Sequence, residues 1–210
     1  MNLNRPKRIP RRILLTLASA TLLASCTGLQ APQAGSPHLY VLDARPAIQA
    51  AQVKRDLVLA VSMPRAWPGF GTPRMAYLRQ PHELEYFAVN RWADTPSRML
   101  GPLLAQALEQ TGSFRAIVQT PGVVPADIRL DTELIRLQQD FGTQPSRVQL
   151  TLRAQLIDVV GKRVIAVKTF DETENATSDD AYGGVIAANR VAQRVLGQLA
   201  DFCVNESVSQ

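Results

Sequence analysis

The side chains of this sequence best suited to acid–base, nucleophilic or metal-binding chemistry are two histidines and two cysteines. A general base needs a partner within hydrogen-bond reach, and a zinc site needs three or four ligands. His38 and His82 stand far apart, and His82 follows a proline, as is typical of a surface turn. The sequence has no GxSxG, HExxH, CxxC or GxxxxGK motif, and its acidic stretch at 171–180 lacks calcium-loop spacing. We therefore expect neither an enzyme nor a metal site.

A second group of chemically capable residues consists of aromatic side chains interleaved with arginines. Such side chains are enriched at the centres of protein interfaces, because they combine a large contact area with polar groups. The candidate interface residues are Trp67, Phe70, Tyr77, Arg79, Arg91 and Trp92. Two of them lie in residues 63–74, a loop with three prolines and two glycines. Core packing is the open alternative for Trp92, whereas for the two loop aromatics partner or membrane contact competes with packing.

Cys26 ends a segment with the features of a bacterial export signal. Five basic side chains lie within the first twelve residues, and thirteen uncharged, mostly apolar residues follow from Ile13 to Ser25. Signal peptides have apolar runs of about 7–15 residues, whereas a bilayer-spanning helix needs about 20. The residues Leu23-Ala24-Ser25-Cys26 resemble the bacterial lipobox, in which the peptide is cleaved before a cysteine that carries lipid. We therefore expect Cys26 to be the lipidated first residue of the mature protein.

The expected cleavage divides the chain into a signal peptide (1–25), a flexible tether (26–37) and a single α+β domain (38–210). Residues 27–37 are small, polar and interrupted by proline, and at full stretch they reach no more than about 40 Å. Thr27 follows the cysteine in place of the Asp that, by resemblance to enterobacterial sorting rules, favours the inner membrane. We therefore expect a lipid anchor on the periplasmic face of the outer membrane. Each buried CH₂ of that anchor contributes about 0.8 kcal/mol.

The positive charge of the sequence comes from the segment that is expected to be removed. The whole chain has a formal net charge of +5, but residues 26–210 contain 18 basic and 18 acidic side chains. A neutral, exported domain is not expected to bind nucleic acid. With Cys26 used for lipid, Cys203 has no intramolecular disulfide partner. Its place in an apolar helical stripe predicts a buried, unreactive thiol.

The first half of the domain is predicted to contain strands and one helix. The predicted strands are residues 38–42, 57–61, 75–79 and 83–93. The helix begins at Thr95 and Pro96, which supply a capping hydroxyl and a proline at the first helical position. Gly112 ends it, and Pro102 predicts a kink or a restart inside it.

The second half is predicted to be an antiparallel meander followed by a helix. Its strands are residues 114–119, 128–134, 148–156 and 163–170, with a turn at Gly161-Lys162. The acidic stretch at 171–180 is expected to be a solvated loop before the last helix, whose apolar stripe runs from Val185 to Phe202. The predicted fold class is therefore α+β, a mainly antiparallel sheet with two amphipathic helices packed on one face.

Several short motifs occur in a recognisable order along the expected mature chain. They are YVLD at 40–43, YLR at 77–79, RWA at 91–93, the leucine-rich helix, and Gly112 two residues before Phe114. This order resembles the ABC-type transport auxiliary lipoproteins, the PqiC-like partners of MCE-protein lipid transport systems. The resemblance covers most of the mature chain and is sharpest over residues 75–118.

The resemblance implies a non-catalytic periplasmic lipoprotein in a system that moves phospholipid or other hydrophobic molecules across the envelope and supports envelope integrity. The implied partners are an MCE-domain protein, an ABC permease and ATPase, and further copies of the chain in a ring. No cofactor is implied beyond the covalent lipid on Cys26. Two alternatives stay open: a binding or scaffold lipoprotein for outer-membrane or peptidoglycan assembly without a transport role, and a carrier with its own hydrophobic pocket. The neighbouring genes distinguish a transport role from an assembly role.

Overall fold

One long strand near the middle of the sheet organises this domain. The computed structural model describes residues 36–48, 50 and 54–207. The strands are β1 (His38–Tyr40), β2 (Val58–Ser62), β3 (Arg65–Ala66), β4 (Arg74–Leu78), β5 (Leu84–Trp92), β6 (Ala116–Thr120), β7 (Ile128–Asp140), β8 (Arg147–Asp158) and β9 (Arg163–Asn175). The helices are α1 (Pro96–Thr111) and α2 (Ala181–Glu206). The predicted signal peptide, Cys26 and most of the predicted tether lie outside the described residues.

Strand β7 has neighbours along both of its edges. On one edge it pairs antiparallel with β8, which pairs antiparallel with β9. On its other edge, β7 pairs parallel with three short strands in succession. Strand β2 pairs with the beginning of β7, β3 with its middle and β4 with its end. Strand β2 also pairs with β6. Strand β4 also pairs with β5, which in turn pairs with β1.

The sheet is therefore mixed: its long ladders are antiparallel, as predicted, and its short parallel ladders were not predicted. The long β7–β8 and β8–β9 ladders are antiparallel, as the alternating pattern and short turns predict. Of the eight pairings among the described strands, however, five are parallel. A hairpin leaves a local turn signal in the sequence, whereas a crossover between parallel strands leaves none. The sequence pattern therefore could not predict the parallel strand pairs.

Helix α1 begins and ends where the sequence predicts. The Thr95 hydroxyl accepts a hydrogen bond from the Arg98 backbone N–H at 3.4 Å, and Gly112 adopts the left-handed φ of 63°. The helix continues through Pro102 as one element, so the predicted restart does not occur. Pro102 is exposed, which lets water reach the carbonyl that its missing N–H leaves without a helical partner.

Helix α2 provides one side of the core. The predicted apolar stripe is buried throughout: Val185, Ala188, Ala192, Val195, Leu196, Leu199 and Phe202. Cys203 is fully buried, as predicted, and burial raises the pKa of its thiol. Helix α2 contacts β8, β9 and α1, and α1 contacts β2, β6 and β7. The packing of both helices on one face of the sheet stays a prediction.

The acidic stretch that the sequence predicts as a loop is partly strand, because β9 runs to Asn175. Arg194 of α2 donates to the carboxylates of Glu172 and Glu174 at 3.4 and 2.7 Å. It also donates to the Thr173 carbonyl oxygen at 2.7 Å. Acidic residues are disfavoured in strands, so the sequence pattern gave no reason to extend β9 into this stretch. In the structure, ion pairs with α2 offset the low strand propensity of these acidic residues.

Candidate partner-binding site

Residues 63–74 form an ordered loop that presents Trp67 at the surface. The loop contains the short strand β3, which pairs with β7 and was not predicted. Directly after β3, the Trp67 N–H donates to the Leu134 carbonyl oxygen at 2.9 Å, and the Phe70 N–H donates to the Trp67 carbonyl oxygen at 3.0 Å. The loop backbone is thus fastened to the centre of the sheet, while the Trp67 side chain remains 50% exposed.

Gly69 and Tyr86 hold the end of this loop against β5. Gly69 has a φ of 94°, a conformation that glycine adopts without the steric cost of a side chain. The Tyr86 hydroxyl donates to the Gly69 carbonyl oxygen at 2.9 Å, and the Arg74 guanidinium lies 3.8 Å from the centre of the Tyr86 ring. Phe70 is half-buried and packs against the hydrophobic core. Of the two predicted loop aromatics, Trp67 is therefore the exposed one.

Tyr77 and Arg79 form a second group around Glu85. The buried Tyr77 hydroxyl donates to Glu85 at 2.8 Å, and this bond, together with burial, raises the pKa of Tyr77. The Arg79 guanidinium lies 3.8 Å from the other Glu85 oxygen and 5.5 Å from the centre of the Tyr77 ring. Tyr77 is thus held inside the domain, whereas the Arg79 side chain is 71% exposed.

Two phenylalanines that the sequence analysis did not select complete this second group. The ring centre of Tyr77 lies 4.7 Å from that of Phe87 and 5.7 Å from that of Phe141. Phe87 and Phe141 are 6.2 Å apart in an edge-on arrangement. Phe141 follows the end of β7, beyond the region where alternating apolar residues are recognisable, so the sequence offered no signal for it.

The last two predicted interface residues have opposite environments. Arg91 is exposed near the end of β5, where it pairs with Leu39 of β1. Trp92 is 4% exposed, belongs to the core, and donates its backbone N–H to the Pro73 carbonyl oxygen at 2.8 Å. Trp92 therefore packs in the core, which is the alternative that the sequence analysis left open for it.

The residues with catalytic or metal-binding potential lie apart in the described chain. His38 is in β1 and His82 is in an exposed turn with a φ of 70°. Within residues 36–48, 50 and 54–207, no three His, Cys, Asp or Glu side chains are arranged to hold a metal ion. Neither described helix has the length and apolar character needed to span a bilayer.

Two solved structures share this α+β fold. Protein XCC0632 from Xanthomonas campestris, of the DUF330 family, is 22% identical, with a TM-score of 0.75 over 81% of this chain and 97% of its own. An uncharacterised protein is 13% identical, with a TM-score of 0.60 over 81% of this chain and 98% of its own. No curated protein sequence matches the chain significantly. The class of protein is thus a small α+β domain.

The sequence identifies the family within that class. Residues 40–200 match the model of the ABC-type transport auxiliary lipoprotein component family, so the chain belongs to this family. The match confirms the resemblance seen in the motif order. Family membership also indicates an auxiliary role beside a transporter.

Proposed function

We propose that this protein is an outer-membrane lipoprotein that acts as a non-catalytic auxiliary component of an MCE-type intermembrane lipid transport system. Its membership of the transport auxiliary family supports the general role. The lipobox-like residues before Cys26 support the anchor. The MCE-domain protein, with its ABC permease and ATPase, is the proposed partner, and further copies of the chain are proposed neighbours in a ring.

The observation that carries the binding role is the exposure of Trp67 on a loop whose backbone is fixed. Tryptophan is the residue type most enriched among interface hot spots. Its loop is already hydrogen-bonded to β7, so binding costs little conformational entropy there. Met63 in the same loop is 45% exposed, so the loop presents a second apolar side chain. We assign this surface, together with the exposed Arg79 and Arg91, to contact with the conduit protein or a neighbouring subunit.

The experiment is co-purification of the full-length lipoprotein with its MCE-domain partner from a membrane extract. Trp67→Ala removes the exposed ring and is expected to reduce the recovered partner strongly, because a hot-spot tryptophan contributes at least about 2 kcal/mol. Phe70→Ala is a separate variant, since Phe70 also packs against the core. The matched control is Tyr182→Ala, which removes an aromatic side chain that is 59% exposed elsewhere on the domain.

Unchanged recovery with Trp67→Ala contradicts the assignment of this surface. Recovery of outer-membrane assembly proteins in place of an MCE-domain protein supports the scaffold alternative. The native mass of the lipoprotein, alone and with the partner, tests the ring. If the ring uses this surface, Trp67→Ala also lowers the native mass.

The lipid anchor has its own test. Radiolabelled palmitate is expected to label the wild type and not Cys26→Ala, and separation of the two membranes is expected to place the wild type in the outer-membrane fraction. Labelling that persists in Cys26→Ala contradicts lipidation at this residue, and recovery in the inner membrane contradicts the proposed location.

A further inference from the structure

A groove of about 700 Å³ lies beside Tyr77 and Arg79. Its volume falls within the range of about 300–1,000 Å³ that is usual for small-molecule sites. The rings of Tyr77, Phe87 and Phe141 contribute to its lining, together with Ala88. Aromatic rings that already contact one another form a preformed apolar surface, so an apolar ligand need not order them.

An irregularity in β5 lies beside this groove. Ala76 of β4 pairs with Tyr86, but Arg74, only two residues earlier, pairs with Arg91. Four residues of β5 therefore lie opposite a single residue of β4. Such bulges bend a strand and re-aim its side chains, and they are frequent beside functional sites. Here the bulge leaves Ala88 exposed at the groove while Phe87 contacts Tyr77.

The groove is lined by charges of both signs. Arg79 belongs to the lining and lies 3.8 Å from Glu85. Asp179 and Asp180 belong to the lining as well. The Ser146 backbone N–H donates a hydrogen bond to the Asp179 carboxylate, and the Gly183 backbone N–H donates one to the Asp180 carboxylate. These bonds keep the pKa of both carboxyls below the usual range. A cation and two anions thus flank an aromatic surface.

This arrangement complements a zwitterionic amphiphile better than an anionic one. A phosphate suits the guanidinium of Arg79, since arginine binds phosphate oxygens through charge-assisted hydrogen bonds. An ammonium group suits Asp179 and Asp180, which repel a purely anionic head group. The acyl chain then lies against the aromatic rings.

The groove also lies next to the point where the chain leaves the domain toward Cys26. Asn90 lines the groove and pairs with His38, the first residue of β1. Eleven residues lie between Cys26 and His38, which limits the distance between these two to about 40 Å. With Cys26 in a membrane, phospholipid is therefore within reach of the groove.

We propose that this groove binds an acyl chain of a single phospholipid with a zwitterionic head group, whose phosphate contacts Arg79 and whose ammonium contacts Asp179 and Asp180. The inference rests on the proposed function only for the membrane anchor and the lipid context. It adds that this subunit itself contacts lipid, that Arg79 binds a lipid phosphate in place of a protein partner, and that the groove selects by head-group charge.

The experiment uses the full-length lipoprotein in vesicles of equal parts phosphatidylethanolamine and phosphatidylglycerol. A photoreactive benzoylphenylalanine replaces Phe141 in the groove or Val164, an exposed residue of β9 outside the groove lining. After irradiation, mass spectrometry identifies the adducts. We expect phosphatidylethanolamine adducts at position 141 in clear excess over phosphatidylglycerol adducts and over any lipid adduct at position 164.

Two variants in the position-141 background test the assigned contacts. Ala88→Trp fills the groove from an exposed position, and Arg79→Glu reverses the charge at the phosphate position. Each is expected to reduce the lipid adduct about tenfold, which corresponds to about 1.4 kcal/mol of binding free energy. Arg45→Glu is the control, because Arg45 is 75% exposed and lies outside the groove lining. Thermal melting of each variant shows whether it is folded, and the two variants alter different contacts.

Equal lipid labelling at positions 141 and 164 overturns the proposal, because it reports contact with the bilayer surface. Equal labelling by the two phospholipids overturns the head-group assignment. An adduct with another protein, or with the acylated Cys26 peptide of the same chain, shows a different occupant and also overturns the proposal. If no lipid adduct forms at position 141 in the otherwise wild-type protein while the MCE-domain partner still co-purifies, this inference is refuted and the proposed function stays intact.

Discussion

Gly184 and Gln139 pack so closely that a Cβ on Gly184 would lie 2.2 Å from the side-chain oxygen of Gln139. Gln139 is 4% exposed. Its amide nitrogen donates to the Ser146 hydroxyl at 2.9 Å and to the Asp180 carbonyl oxygen at 3.1 Å. A single buried side chain thus joins the end of β7, the start of β8 and the first turn of α2. The missing side chain of Gly184 is what lets the helix come this close.

We therefore predict that Gly184→Ala lowers the free energy of unfolding by about 1–3 kcal/mol, the usual cost of forcing extra atoms into a packed site. Gly197→Ala is the matched control in the same helix, since the nearest atom to its added Cβ is 3.9 Å away. That substitution is expected to stabilise the protein by about 0.5–1 kcal/mol through helix propensity. Urea unfolding measures both variants. Equal changes in the two variants contradict the role assigned to Gly184.

The sequence was sufficient to predict the elements whose signals are local. The alternation through residues 148–156, the cap at Thr95 and the stop at Gly112 each depend on neighbouring residues, and the structure has each of them. The parallel neighbours of β7 and the bulge in β5 depend on residues far apart in the chain, so no local pattern reveals them.

The same distinction applies to the candidate site. Proline and glycine around Trp67 and Phe70 left surface contact and packing open for both residues. Trp67 is exposed and Phe70 packs against the core, a difference that the composition of the loop does not reveal. Trp92 has a similar aromatic and arginine context but is buried, since composition does not show which face of a strand meets the core. Phe141 and Gln139 were missed because their roles arise only when β7, β5 and α2 come together.

The N-cap of α2 provides a second prediction. The Asp180 side chain accepts a hydrogen bond from the Gly183 N–H at 2.7 Å. Asp180→Ala is expected to lower the free energy of unfolding by about 1 kcal/mol, as the loss of an N-cap usually does. Asp180→Asn keeps an oxygen acceptor and is expected to stay close to the wild type at pH 7. Unfolding by urea at that pH is the measurement, and a larger loss for Asn than for Ala contradicts the capping role.

The charge of Asp180 predicts a further difference between the wild type and Asp180→Asn in acid. The Gly183 hydrogen bond lowers the pKa of Asp180 in the folded state below its ordinary value of 3.8. The carboxylate therefore stabilises the fold above about pH 3.8, and this contribution is lost as the pH falls through the lower, folded-state pKa. The wild type should thus lose more stability than Asp180→Asn between pH 5 and pH 2. Parallel acid profiles of the two proteins contradict this assignment.

The ion pairs between α2 and β9 provide a third pair of variants. Arg194 reaches Glu172, Glu174 and the Thr173 carbonyl oxygen, whereas Arg190 has one contact with Glu174, at 3.5 Å. Arg194→Ala is expected to cost about 1 kcal/mol and Arg190→Ala less, because exposed single pairs contribute about 0–1 kcal/mol. The difference should shrink at high salt, which screens exposed charges. Thermal melts at low and high salt are the measurement, and equal losses for both arginines contradict the assignment of β9 anchoring to Arg194.

The buried thiol of Cys203 predicts how stability changes in alkali. Burial raises its pKa in the folded state above the ordinary value of 9.0, so above that pH the unfolded chain releases a proton that the folded chain retains. Stability then falls with rising pH, by up to about 1.4 kcal/mol per pH unit. Cys203→Ala lacks this contribution, and the other titrating groups are common to both proteins. Urea unfolding at pH 8 and pH 10 should therefore show a larger loss for the wild type than for Cys203→Ala, and equal losses in the two proteins contradict a thiol that stays protonated in the fold.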